Sequence, residues 1–227
     1  MDLMDHSATE LAALIRDRKA SPVEAVQAAL SRIEARRELN AFITVTGEQA
    51  LDAARRAEAA VMAGEALGPL HGVPYSVKDL TLTAGVRTTM GSAIYEDFVP
   101  EEDAVAVARA KAAGAILIGK TTTPEFGHKQ VATAPIFGRT LNPIDARYTP
   151  GASSSGAAVA VAAGLGSLAL GTDGGGSIRI PASCCGLVGL KATLGVVPNL
   201  QAPDLYSANS FTGPMARDVA DTQLLFD

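Results

Sequence analysis

Between Thr149 and Lys191 the chain reads TPGASSSGAAVAVAAGLGSLALGTDGGGSIRIPASCCGLVGLK. Serine and glycine gather at 153–156 and again at 171–177, on either side of an apolar Ala/Val/Leu run. Glycine loses more backbone freedom on folding than any other residue. A run such as Gly174-Gly175-Gly176-Ser177 therefore implies main chain brought close to something, with N–H groups presented to it. Flexible linkers share this composition, but their flanks are polar. Here Leu168-Ala169-Leu170 precede the run and Ile178-Arg179-Ile180-Pro181 follow it. The block reads as a built site set into a core.

The rest of the chain alternates helical and extended patterns. Ser7-Ala8-Thr9-Glu10 has capping-box spacing and predicts a short helix with Leu11, Leu14 and Ile15 on one face. A second box, Ser21-Pro22-Val23-Glu24, places proline at the first helical position, where its missing N–H costs nothing. Val23, Val26, Leu30 and Ile33 then keep a three-four period. Residues 41–45 predict a strand and 47–63 a helix. After Gly64 come a turn and a short strand that carries Lys78 within Leu70–Leu80. Further helices are expected at 103–113, 156–163 and 217–226, with strands at 115–118 and 167–170. Helices alternating with short apolar strands predict an α/β sandwich around a sheet. Residues 1–63 are expected to form an N-terminal helical arm and 64–227 a catalytic core. The last helix has no glycine cap, no basic last turn and no proline after it, and it ends on Leu224-Leu225-Phe226-Asp227. By that pattern the chain is cut short, with those apolar residues exposed.

Composition narrows the function. With 227 residues, 48% of them apolar, a substantial core is available. A net charge of −5 argues against a general nucleic-acid binder, which would carry a basic face. The pairs Arg36-Arg37 and Arg55-Arg56 lie in or beside helical patterns and read as solvated. Only two cysteines occur, at neighbouring positions 184 and 185, so they staple nothing and a reducing compartment is expected. Packing of small residues explains them as well as a thiol nucleophile would. The N-terminus is acidic where a signal peptide is basic. No uncharged run is long and continuously apolar enough for a membrane span. A cytoplasmic protein with neither membrane nor nucleic-acid partner is expected.

Two motifs are false leads. Gly114–Thr121 fits the phosphate-loop spacing G-x-x-x-x-G-K-S/T letter for letter. A phosphate loop must follow a strand and open a helix so that backbone N–H groups curl around the anion. Here the strand lies between the glycines, and Thr121-Thr122-Thr123-Pro124 is a poor helix start. Residues 164–169 match a dinucleotide fingerprint more loosely still. The three histidines, His6, His71 and His128, show no metal-ligand spacing, so no metal is expected. If a serine is the nucleophile, a lysine can serve as its base. Lys78 ends an apolar strand, where a lysine either snorkels to water or is buried as an amine with a lowered pKa. Bringing it to neutrality near pH 7 needs on the order of 4 kcal/mol of bias. The residues alone leave both readings open.

Taken together, these segments resemble the amidase signature hydrolases. Thr149–Lys191 is similar to that family's Gly/Ser-rich signature nearly throughout. His71–Leu80 resembles its lysine-bearing strand, and Gly119–His128 the loop that follows in relatives. The resemblance runs from about residue 5 to the last. It implies an α/β/α sandwich on a twisted mixed sheet, incomplete here, and hydrolysis of amides without metal or cofactor. Ser177 matches the acylated nucleophile, Ser153 the bridging serine that follows a cis peptide, and Lys78 the base. Gly174, Gly175, Gly176 and Ser177 match the oxyanion cradle, Gly127 a substrate-binding position, and Asp173 and Arg179 the loop's structural braces. Ser155, Cys184 and Thr122 depart from the family's usual glycine, aromatic and asparagine.

The function implied is an amidase that cleaves a small carboxylic amide to acid and ammonia or amine through an acyl-serine, with a homodimer among the expected assemblies. Two alternatives stand beside it. One is the glutaminase (A-type) component of a tRNA-dependent amidotransferase, which usually carries glutamine where Ile180 stands; the other is an inactive truncated fragment.

Overall fold

The structure, a computed structural model, describes residues 2–199 and 210–227. Both capping boxes form as the spacing predicts. Ser7 accepts from the Glu10 N–H and Glu10 from the Ser7 N–H at the start of α1 (Ala8–Arg16). Ser21 and Glu24 do the same for α2 (Pro22–Ala35), with Pro22 at its first position. These helices lead through β1 (Phe42–Val45) into α3 (Gly47–Ala63) and then β2 (Pro74–Lys78). Next come α4 (Val105–Ala112) and β3 (Ile116–Thr121). A small hairpin, β4 (Thr133–Ala134) and β5 (Gly138–Arg139), precedes α5 (Ser155–Ala162). The chain continues with β6 (Leu168–Asp173), α6 (Arg179–Cys184), β7 (Val188–Gly189), β8 (Phe211–Ala216) and α7 (Val219–Phe226).

Six strands form one mixed sheet in the order β1-β3-β2-β6-β8-β7. β2 runs parallel to both β3 and β6, and the remaining pairs are antiparallel. Helices cover both faces, giving the expected α/β/α layering. On one face α2, α3 and α5 pack over Ile116, Ile118, Ala169 and Met215. On the other, α4 and part of α1 cover Tyr75, Val77, Leu168 and Leu170. The N-terminal helices pack against the rest of the chain, with α2 and α3 sharing the main core with α5. The N-terminal stretch is also tied to the chain's other end. Asp221 on α7 accepts from the N–H groups of Ala8 (2.6 Å) and Thr9 (2.8 Å), an anion at the start of α1. Arg217 donates to the carbonyls of Met4 and His6.

α5 is apolar all round and buried along nearly its whole length, as such a helix must be. Gly156 lets it approach: a Cβ there would lie 2.3 Å from the Ala41 carbonyl oxygen and 2.4 Å from the Thr122 nitrogen. The phosphate-loop match fails as argued, since Gly119, Lys120 and Thr121 are strand residues of β3.

The structure departs from expectation at the C-terminal end in two ways. The helix predicted from 217 begins at Val219, capped by Asp218, because residues 211–216 form a strand that pairs with β6. Gly213 and Pro214 disguise that strand. Leu224 and Leu225 are half-buried against the second core cluster, not exposed. No described helix is long and apolar enough to cross a membrane.

Candidate active site

Parallel strands in α/β sheets present their carboxyl ends to ligands. Here the ends of the adjacent parallel strands β2 and β6 carry Lys78 and the pair Thr172–Asp173. The loop before α5 supplies Ser153, and the turn between β6 and α6 supplies Ser177. The peptide bond between Ala152 and Ser153 is cis.

Lys78 has no exposed surface, so the reading as a buried amine prevails over the snorkelling one. Its Nζ donates to Ser153 Oγ at 2.7 Å, to Thr172 Oγ1 at 2.8 Å and to the Thr172 carbonyl at 3.4 Å. Among the described residues no carboxylate lies within salt-bridge distance of it. Burial brings its pKa down to about 7, against the opposing pull of the Asp173 charge. A neutral amine then has a lone pair that can accept the Ser153 proton.

Ser177 is almost wholly buried. Its carbonyl accepts from the Ser154 N–H at 3.2 Å, which fastens the Ser177 turn to the Ser153 segment. Its hydroxyl has no hydrogen-bond partner among the described residues. The fold thus joins Lys78 to Ser153 by side chains and Ser153's neighbour to Ser177 by main chain, while no bond links the two serine hydroxyls.

Asp173 organises the turn. Its buried carboxylate accepts from the N–H groups of Gly176 (2.7 Å), Ile178 (3.2 Å) and Arg179 (3.4 Å), and from Arg179 Nε and Nη2 at 2.9 and 3.0 Å. Desolvation alone would raise its pKa; the Arg179 guanidinium and those N–H donors outweigh it and hold the group at about 2. The Gly176 N–H, expected in the oxyanion cradle, is therefore already engaged. The N–H groups of Gly174, Gly175 and Ser177 have no acceptor among the described residues. Gly127 is likewise no free donor, because its N–H closes a turn onto the Pro124 carbonyl at 2.8 Å. It sits beside the site: a Cβ on it would lie 3.2 Å from Ser153 Oγ, and its φ of +67° favours glycine.

Sequence reading missed Thr172 and Ser154. The Ser154 hydroxyl donates to the Thr172 carbonyl at 3.0 Å and accepts from the Thr172 N–H at 3.2 Å. Both lie inside the Gly/Ser block, but only the pairing of β2 with β6 brings Thr172 to Lys78, and Ser154 follows through its bonds to Thr172. His71 packs as expected, with Nε2 2.9 Å from the Ala57 carbonyl. Burial pushes the Cys185 thiol up to about 12, unfit for a thiolate nucleophile. No metal-binding cluster occurs among the described residues.

Two buried lysines, Lys78 and Lys120, each hold their protons less tightly than in the unfolded chain, with pKa values near 7. The folded state therefore binds fewer protons above pH 7, and stability should rise with pH. The expected gain between about pH 7 and 8.5 is at most ~1.4 kcal/mol per pH unit per lysine. Above that range the raised Cys185 pKa opposes it. Urea midpoints across the window check this, and a flat or falling trend contradicts it.

Comparison with known proteins bears on the same residues. The family model described as Amidase matches residues 24–227. The A component of a glutamyl-tRNA(Gln) amidotransferase from Geobacter sp. (strain M21) is 46% identical over 99% of this chain and 46% of its own length. An acylamidase from Rhodococcus erythropolis is 42% identical over 97% of this chain and 46% of its own. The solved structure of a peptide amidase from Stenotrophomonas maltophilia superposes with a TM-score of 0.93 at 35% identity, covering 98% of this chain and 47% of that one. The chain thus spans about half the length of the curated relatives it matches.

Proposed function

Given that this chain belongs to the amidase signature family, we propose that its site hydrolyses a carboxylic amide to an acid and ammonia or an amine, with Ser177 as nucleophile. The observation that carries this reading is the fully buried Lys78 amine, 2.7 Å from Ser153 Oγ and free of any carboxylate contact among the described residues. Neutral Lys78 accepts the Ser153 proton as Ser153 accepts that of Ser177. The Ser177 oxygen then adds to the amide carbon. In this reading the N–H groups of Gly174, Gly175 and Ser177, which have no acceptor among the described residues, stabilise the oxyanion, each such donor being worth about 2.7–4 kcal/mol. The relay reverses to protonate the leaving nitrogen as the C–N bond breaks. Water, deprotonated by the same relay, then releases the acid. Asp173 and Arg179 hold the turn in shape.

A second reading, glutaminase within a larger assembly, is favoured by the 46% identity to the amidotransferase component. Ile180 and the acylamidase relative favour a free-standing amidase acting on a small amide. An alkyl fluorophosphonate should modify Ser177, read by peptide mass spectrometry. Folded protein that stays unmodified would count against the mechanism. Competition by glutamine rather than by simple amides would favour the second reading.

A further inference from the structure

Lys120 also has no exposed surface, and nothing in the proposed reaction uses it. On β3 it pairs with Val77, while Lys78 pairs with Thr121, so strand alternation sends the two lysines to opposite faces of the sheet. Its Nζ donates to the Thr81 carbonyl (2.6 Å), Thr83 Oγ1 (3.0 Å) and Thr88 Oγ1 (2.8 Å). All three acceptors belong to the loop that leaves β2 just after Lys78. Asp79, equally buried, closes the far end of that loop. Its carboxylate accepts from the Thr89 N–H at 2.9 Å and from the Thr89 hydroxyl, and its carbonyl from the Met90 N–H at 3.2 Å. The charged groups whose fields reach Lys120 are Asp79, Asp103 and Lys111.

The loop fastened in this way ends against the candidate site. The Met90 carbonyl accepts from the Phe126 N–H at 2.8 Å, fixing the turn that carries Gly127. Leu80 lies under the same turn: a Cβ on Gly127 would come within 2.5 Å of Leu80 Cδ1. The same Cβ position lies 3.2 Å from Ser153 Oγ, so Leu80 and the Ser153 hydroxyl meet the turn at one place. A buried ammonium is a costly way to tether a loop that an apolar side chain of the same length could also fill. What the amine adds is direction, since its N–H groups are aimed at three fixed oxygens where an apolar side chain would fix none.

We propose that Lys120 is a positioning residue for amide hydrolysis, holding Leu80 and Met90, and through them the 124–127 turn, against the Ser153 hydroxyl. The inference rests on the roles given above to Ser153 and Lys78. Its test is Lys120→Met, with fluorophosphonate labelling of Ser177 followed from pH 6 to 9 and thermal melting of the same samples. Cooperative melting should persist, while labelling at pH 7.5 falls about 10- to 100-fold, as small misplacements near a reacting group do. The pH midpoint of labelling should also move upward. A displaced turn admits water to Lys78, while Asp173, the charge that faces it, is unchanged.

A residue that only stabilises the fold would lower Tm and leave that midpoint in place, and this result overturns the proposal. Should Lys120→Met not fold, Thr88→Val removes one acceptor at nearly constant shape and decides by the same two readouts. Its shift is expected to be smaller but in the same direction; an unmoved rate and midpoint reject the proposal. If the unmodified chain itself fails to label, the Ser177 reading falls first and this inference with it, so the two failures are told apart.

Discussion

Lys78→Ala is expected to abolish fluorophosphonate labelling of Ser177 at neutral pH while the protein still melts cooperatively. The side chain is wholly buried, and its amine reaches Ser153 and Thr172 but no counter-ion among the described residues. Removing it takes away a desolvated amine that itself disfavours folding below pH 7, so the cavity left behind is partly offset. The proton acceptor goes with it. Positioned general bases contribute about 10²–10⁴-fold, and the labelling rate should fall by that factor. Raising the pH should restore it only in part, because hydroxide cannot occupy the Lys78 position in a fixed geometry. Full labelling of folded Lys78→Ala at pH 7 would take Lys78 out of the mechanism.

Asp173→Ala should lower stability and reactivity together. The substitution strands the N–H groups of Gly176, Ile178 and Arg179 and frees the Arg179 guanidinium. That guanidinium side chain is 54% exposed and can return to water, so the loss falls below that of a fully buried pair, at about 2–3 kcal/mol. For a domain of this size Tm should drop by roughly 4–12 °C. Without the carboxylate the turn loses the acceptor that draws in Gly176, Ile178 and Arg179, and labelling should slow by about 10²–10³-fold. Since folding depresses this carboxyl to about 2, its contribution is complete above roughly pH 4 and is lost as pH falls through 2. Melting curves of Asp173→Ala and Asp173→Asn, paired with labelling rates, test the argument. An Asp173→Ala protein as stable and as reactive as the parent would refute it.

Much of the architecture was legible because its causes are local. A capping box closes over three residues, so Ser7–Glu10 and Ser21–Glu24 announce their helices directly. The unbroken Ala/Val composition of α5 marks a helix with no wet side. β8 stayed hidden because Gly213 and Pro214 are poor strand formers, held in place by β6 on one side and β7 on the other. The Gly-rich turn was visible, but which of its N–H groups remain available was not. That depends on Asp173 turning back onto Gly176.

What the linear order of residues determined by itself is the chemistry on offer: an amine at the end of an apolar strand, and serines beside glycines. Tertiary structure alone decided that this amine is stripped of water and set against Ser153, 75 residues away, and Thr172, 94 residues away. It also decided that its near twin on β3 faces the opposite side. The reason is that burial and strand order are properties of the assembled sheet. Neighbours along the chain set a side chain's direction, but only packing from distant segments sets its solvent and its partners.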